Sequence, residues 1–288
     1  MKVTGFSFIR NAIKYDYPIT EAITSILPIC DEFVVAVGNS DDSTLQLIKS
    51  ISPKIKIVET EWDDSLREGG RVLAEETNKA FQAISEDTDW CFYIQGDEVV
   101  HEDYLYVVYN AMLNNLENKS VDGLLFNYLH FYGSYDYIGS STRWYRKEIR
   151  VIRNNKNIYS YRDAQGFRKD DNKKLNVLPV DAYIYHYGWV RPPEKMFNKQ
   201  NNFASLYNGG NQPSYNVEEF DYSEIDSLDI FQGSHPKVMK RRIEDKNWKF
   251  EKDISIKKYS LKEKVKQIVM KMTGGYIIGE YKNYKILK

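Results

Sequence analysis

The run Trp90-Cys91-Phe92-Tyr93-Ile94-Gln95-Gly96-Asp97-Glu98 ends an apolar stretch in two acids. Such a stretch reads as a buried strand of an α/β sheet, with polar residues where the chain leaves the sheet. Ligands of open α/β sheets bind at the carboxyl ends of strands. Carboxylates placed there can hold Mg²⁺ or Mn²⁺, and such an ion can hold a diphosphate. The alternative is a loop with two solvated acids.

The elements that must position these acids follow from periodicity. Val3 to Ile9, Phe33 to Val37, Ile55 to Val58 and Trp90 to Ile94 read as buried strands. Between them, Pro18 to Leu27, Thr44 to Ser50 and Arg71 to Ser85 read as helices, the first with Ile19, Ile23, Ile26 and Leu27 on one stripe. Strands alternating with helices imply right-handed crossovers and a mostly parallel sheet flanked by helices. Beyond residue 100 a helix through Tyr104, Val107, Val108, Ala111 and Met112 is followed by strands at Gly123 to Tyr132, Glu148 to Ile152 and Val180 to Tyr187. Pro192-Pro193 opens a helix carrying Met196, Phe197 and Phe203. The second half has fewer βα units and more aromatic loops, and we expect it to face the substrate within the same domain.

Composition narrows the class. The 288 residues suffice for one large domain, and a net charge of −1 gives no reason to expect nucleic acid as a partner. Cys30 and Cys91 lie in apolar segments and read as reduced core residues. No apolar stretch reaches the roughly 20 residues of a membrane span, and Met1 to Arg10 begins directly as a strand rather than as a signal peptide, so the cytoplasm is the expected location. Residues 214–236 carry Glu218, Glu219, Asp221, Glu224, Asp226 and Asp229 without Lys or Arg, the mark of a solvated loop. Residues 254–288 carry nine lysines against Glu263 and Glu280. There Ser260 and Glu263 form a capping box, Leu261, Val265, Ile268, Val269 and Met272 follow at helical spacing, and Gly274-Gly275 ends the helix. This is either a packed helix with a lysine-rich outer face or a helix docking on an acceptor or at the inner face of a membrane.

Four fragments occur in a telling order: a strand ending in Arg10-Asn11; Asp31 through Val37-Gly38 to Asp41-Asp42-Ser43-Thr44; Thr77-Asn78-Lys79-Ala80 on a helix; and Asp89-Trp90 through Asp97-Glu98. Together they resemble the nucleotide-binding half of a family 2-type glycosyltransferase with the GT-A fold. The resemblance covers residues 1–100 and continues more weakly through Arg150-Val151-Ile152-Arg153 and His186-Tyr187-Gly188-Trp189. It implies a nucleotide-sugar-binding half over 1–100, an acceptor-binding half of the same domain over 101–253, and a basic C-terminal helix and tail over 254–288. It also implies transfer of a sugar from a nucleotide-diphosphate donor to a glycan or lipid-linked acceptor, with inversion at the anomeric carbon and a divalent metal, Mn²⁺ or Mg²⁺.

Carried over residue by residue, Asp97 matches the second acid of the family's DXD motif and is the expected metal ligand. Gln95 takes the place of the first acid, where an amide can accept from ribose hydroxyls or a metal-bound water. Val37 or Gly38 stands where the family commonly has an aspartate, which leaves base recognition to Arg10, Asn11 or Asp41. Asp42 matches the acid before the next helix, where capping is an equal role. Arg71 and Asn78 match the helix facing the nucleotide. His186 matches a late histidine that serves as a further metal or diphosphate ligand. The family's general base follows the Arg-x-x-Arg strand, and Asp163 is the acid present there; the alternative is that the family's acid aligns with Gln165 and the base lies elsewhere, with Asp136 in reserve. The competing readings are a sugar-phosphate nucleotidyltransferase, which lacks its glycine-rich phosphate loop here, and a non-catalytic module that binds carbohydrate or nucleotide.

Overall fold

A computed structural model describes residues 1–66, 68–207, 219–274, 277 and 279–287. The expectations for residues 214–218 and for Gly275 lie outside the described residues. The first half alternates as expected: β1 (Val3–Ile9), α1 (Ile19–Ile26), β2 (Glu32–Gly38), α2 (Thr44–Ile51), β3 (Ile55–Thr60), α3 (Arg71–Gln82) and β4 (Trp90–Tyr93). The second half runs β5 (Glu98–Val100), α4 (Leu105–Asn114), β6 (Gly123–Tyr132), β7 (Tyr137–Gly139), β8 (Lys147–Arg153), β9 (Ile158–Tyr161), β10 (Gly166–Lys169), β11 (Lys173–Trp189), α5 (Pro193–Tyr207), β12 (Leu228–Ile230), α6 (Lys240–Glu244), α7 (Leu261–Met272) and β13 (Tyr284–Ile286).

The main sheet has the order β3-β2-β1-β4-β8-β6-β11-β10-β9. It is parallel through β3, β2, β1 and β4, antiparallel on both sides of β8, and parallel again between β6 and β11. The result is an α/β fold with both sheet faces covered. Side chains alternate across the sheet: Phe33, Val35 and Val37 of β2 pack with α1, α2 and α4, while Val34 and Ala36 pack with Ala80 and Phe81 of α3.

The register positions the site. Phe6 of β1 pairs with Tyr93 of β4, so both strands release their next residues, Arg10-Asn11 and Gln95 to Glu98, on the same sheet edge. β11 is longer than the strand expected over 180–187. Its His186 pairs with Glu98 of β5 on one side and with His130 of β6 on the other.

Several elements depart from the sequence reading. The segment after β8 folds as the β9–β10 hairpin, its turn made possible by left-handed Arg162 (φ 56°) and Ala164 (φ 62°) on either side of Asp163. The end of the chain returns to the sheet, with β13 pairing in parallel with β11. Only the serine half of the expected capping box of α7 forms: Glu263 N donates to Ser260 Oγ at 3.2 Å, while the Glu263 carboxylate turns to Thr142 instead of the Ser260 backbone. Of the expected packing stripe of α7, Leu261, Val265, Ile268 and Met272 face outward instead and Val269 is half-buried, because the helix docks through Glu263.

Candidate active site

A cleft of about 330 Å³ opens at the carboxyl ends of β1 and β4, lined by Arg10, Trp62, Gln95, Asp97, Asp163, His186 and Lys199 among others. Asp97 lies on its floor at 7% exposure. Its Oδ1 is 3.8 Å from His186 Nε2, and its Oδ2 accepts from Lys199 Nζ at 3.0 Å. Two residues separated by almost ninety positions thus meet because β4 and β11 end at one edge. Gly188 keeps this corner open: a Cβ there would stand 2.5 Å from His186 Nε2 and 3.0 Å from Asp97 Oδ2.

Hydrogen bonding fixes the His186 ring. His130 Nε2 lies 2.7 Å from the Tyr145 carbonyl oxygen, which can only accept, so that nitrogen carries the proton. Burial pushes His130 down to about 3 and His186 down to about 4, so both rings are neutral near pH 7. The remaining His130 nitrogen, Nδ1, is then an acceptor, and its partner 3.0 Å away, His186 Nδ1, must be the donor. His186 Nε2 is therefore a bare lone pair facing Asp97. This is the arrangement by which an outer group orients a metal-binding imidazole.

No family model matches the chain, and no curated protein matches it. Among solved structures it is similar to S. aureus TarS, at 17% identity and a TM-score of 0.42, over 71% of this chain and 39% of that one. It is also similar to residues 1–349 of TarS in complex with UDP-GlcNAc, at 17% identity and 0.41, over 72% and 66%. A third likeness is to glucosyl-3-phosphoglycerate synthase from Mycobacterium tuberculosis in complex with Mn²⁺, UDP and phosphoglyceric acid, at 15% identity and 0.31, over 45% and 43%. The matched part of this chain thus spans 39% of the length of that TarS chain.

Charge around Asp97 is strongly positive. Burial opposes ionisation of its carboxyl, but the cations beside it, Lys199 foremost, hold it well below the usual carboxylate range. Burial and the nearby Arg191 push the Lys199 ammonium down to about 8, while Asp97 works against them. Lys199 also donates to the Gly188 carbonyl at 2.8 Å. Arg191 is fully buried, its guanidinium carbon 5.0 Å from the centroid of Tyr17.

Glu98, the second acid, is a structural group. It is fully buried and forms a two-pronged pair with Arg150, Nε to Oε2 at 2.8 Å and Nη2 to Oε1 at 2.7 Å. Tyr128 Oη donates to it at 2.7 Å and the Gln95 backbone N–H at 3.1 Å, which ties the turn carrying Asp97 to β6 and β8. Gln95 Nε2 donates to the Ala164 carbonyl at 3.1 Å, joining that turn to the β9–β10 hairpin.

The other expected residues divide. Arg10 lines the cleft with its guanidinium 5.3 Å from the Trp62 ring centroid, and Nε donates to Asn39 O at 2.9 Å. Asp163 lines it from the hairpin turn and accepts from Tyr207 Oη at 3.2 Å. Trp62 packs directly over Gly38, whose missing side chain leaves it room. Asn11 shapes the rim: its backbone is left-handed (φ 53°), and Oδ1 accepts from the Asp41 backbone N–H at 2.9 Å.

Asp41 pairs with Lys14 Nζ at 2.6 Å, and Asp42 accepts from the backbone of Lys14 and Thr44, each at a distance typical of a turn or cap. Neither belongs to the cleft lining. Arg71 lines an adjoining recess with Arg162 and Asp163. Asn78 is occupied by the β9 backbone, donating to Ser160 O at 3.0 Å and accepting from Ser160 N at 2.7 Å. Asp136 lies off the cleft beside β7 and accepts from Ser134 Oγ at 2.8 Å. A separate cluster, His101, Glu102 and Asp103, brings ligand atoms within 4.8 Å of one another, but His101 Nδ1 caps a turn by accepting from Asp103 N at 3.2 Å.

Sequence reading missed His130, Lys199, Arg191 and Trp62. Each looks locally like a strand, helix or loop residue, and only strand register and α5 docking bring them to Asp97.

Proposed function

We propose that this protein is a glycosyltransferase that moves a sugar from a nucleotide-diphosphate donor, bound in the cleft, to an acceptor hydroxyl of a glycan or lipid-linked glycan. The observation that carries the reading is the bare Nε2 of His186 facing the Asp97 carboxylate at 3.8 Å on the ligand-binding edge of the sheet. The corner fits a divalent cation. Two atoms this far apart can share one ion at about 2 Å from each, Gly188 leaves the space, and an O/N donor set suits Mn²⁺ and, less well, Mg²⁺. Such an ion would be held by Asp97 and His186, and when bound it would neutralise charge on the leaving diphosphate.

The chain's own residues supply the rest. Trp62 and Arg10 offer a flat, cationic wall for a nucleobase or ribose. Lys199 and Arg191 add positive charge where a diphosphate would lie. Asp163 is the candidate general base: it projects from the hairpin turn into the same cleft and would take the acceptor's proton as the hydroxyl attacks the anomeric carbon. Direct attack of this kind inverts the configuration.

A second reading rests on the Lys199–Asp97 contact at 3.0 Å. In it, Lys199 and Arg191 stabilise the leaving group without a metal. A panel of UDP- and GDP-sugars tests the function itself, with release of the nucleoside diphosphate as the readout. We expect slow hydrolysis of at least one donor, reduced about a hundredfold or more in Asp97→Asn, a loss in the range seen when a charged stabiliser is removed from a reaction site. If no donor is turned over and none binds, the transferase reading fails.

A further inference from the structure

Helix α7 is attached to the protein by its polar side. Glu263 is buried, and its carboxylate accepts from Thr142 N at 2.7 Å and from Thr142 Oγ1 at 2.5 Å. One turn on, Gln267 Nε2 donates to Ser140 O at 3.3 Å. The opposite side carries Leu261, Val265, Ile268 and Met272, exposed at 82%, 56%, 58% and 81%. At about 100° per residue these four fall within roughly 60° of one another. Lys262 lies about 90° to one side of the stripe, and Lys264 and Lys271 about 70–90° to the other. Surface helices of globular proteins turn their apolar stripe inward; this one is reversed. Single exposed apolar residues are ordinary, but a contiguous row of four is a binding surface.

We propose that α7 is an interfacial helix that lies on an anionic lipid surface, its apolar stripe in the acyl boundary and its lysines on lipid phosphates. The charge distribution selects this occupant. Glu263, the one acid of the helix, is spent on Thr142, and every other ionisable side chain of the helix is lysine, namely Lys262, Lys264, Lys266 and Lys271. Lysines on both flanks of an apolar stripe can lay their stems along it and place their ammonium groups at the headgroups. A second copy of the same helix would bring like charges together. At 12 residues the helix is too short to cross a bilayer, so it lies in the surface plane. Its anchor, the segment Ser140 to Thr142, leads within three residues to Trp144 and Tyr145, which back His130, so docking would hold the cleft wall close to the lipid. The inference rests on the faces of α7 and does not depend on the transferase reading.

Co-sedimentation of the full chain with phosphatidylcholine vesicles, with and without phosphatidylserine, tests it. The expected result is binding to the anionic vesicles, weakened by salt, and little to the neutral ones. Ile268→Asp should lower vesicle affinity about tenfold or more, and Lys264→Glu about fivefold or more, since each lysine near an anionic surface contributes on this scale. The thermal midpoint should be unchanged in both, because both side chains are already exposed. The proposal is overturned if the wild type does not sediment, if the variants bind like the wild type, or if the wild type is a dimer that Ile268→Asp dissociates.

Discussion

Asp97 keeps its charge in a buried corner because Lys199 and Arg191 stand beside it, while His186 stays uncharged because burial, with Lys199, Arg150 and Arg191 nearby, outweighs the pull of Asp97; His130 accepts its Nδ1–H and so sets which nitrogen is bare. That division of labour makes His130 a positioning residue. His130→Phe removes the acceptor and frees the other tautomer, so Mn²⁺ affinity should fall about 10–100-fold. His130→Asn, whose amide oxygen reaches toward the place of Nδ1, should retain most of it. Electron paramagnetic resonance of free Mn²⁺ measures this directly, and a Phe variant that binds like the wild type would contradict it. The same burial has a stability consequence. His186 is held at about 4 against an ordinary value near 6.5, so between those pH values the unfolded chain takes up a proton that the folded chain refuses. Stability should therefore fall as pH drops from 6.5 toward 4, by up to about 3 kcal/mol from this group alone. Urea unfolding at pH 7.5 and pH 5 checks the sign. Asp97 was visible in the sequence because a polar end on an apolar strand is a local pattern. His130 was not, because its role exists only through the β6–β11 register.

At the scale of elements, the turn holding Asp97 is fastened by the Glu98–Arg150 pair and by Gln95 bonded to the β9–β10 hairpin. Removing one member of a buried pair leaves the other charge stranded, typically at a cost of about 3–5 kcal/mol. Arg150→Met should lose stability on that scale in urea unfolding, and a loss below about 1 kcal/mol would show that the pair does not fasten the turn. The C-terminal stretch is equally integrated. Asn283 O accepts from Arg168 at 2.9 Å, Asn283 Oδ1 accepts from Tyr161 Oη at 2.9 Å, and β13 adds to β11. Deleting residues 280–288 should therefore lower the thermal midpoint, an effect calorimetry detects and a dispensable tail would not show. The helices and strands of the first half were legible because each shows one clear period over several residues. The β9–β10 hairpin and β13 were not, since three or four residues show no period and their pairing partner lies elsewhere in the chain.

At the scale of the molecule, the parallel β3-β2-β1-β4 half and the mixed second half meet at the edge where β4 and β11 end, and the cleft lies at that meeting. The expectation of a ligand at the strand ends needs only the alternation of strands and helices. The identity of the second wall needed α5, which brings Lys199 and Phe203 over the opening. The central claim is that Asp97 and His186 together hold a divalent cation that carries a diphosphate. Isothermal titration of UDP and of GDP, with Mn²⁺ and with a chelator, tests it most directly in the wild type, Asp97→Asn and His186→Ala. The account predicts that one nucleotide binds the wild type at least about tenfold more tightly with Mn²⁺, a difference of about 1.4 kcal/mol, and that both variants lose this difference. Equal binding with Mn²⁺ and with chelator in the wild type would contradict it and leave Lys199, which lines the cleft, as the cation that meets the diphosphate, with buried Arg191 adding charge behind it.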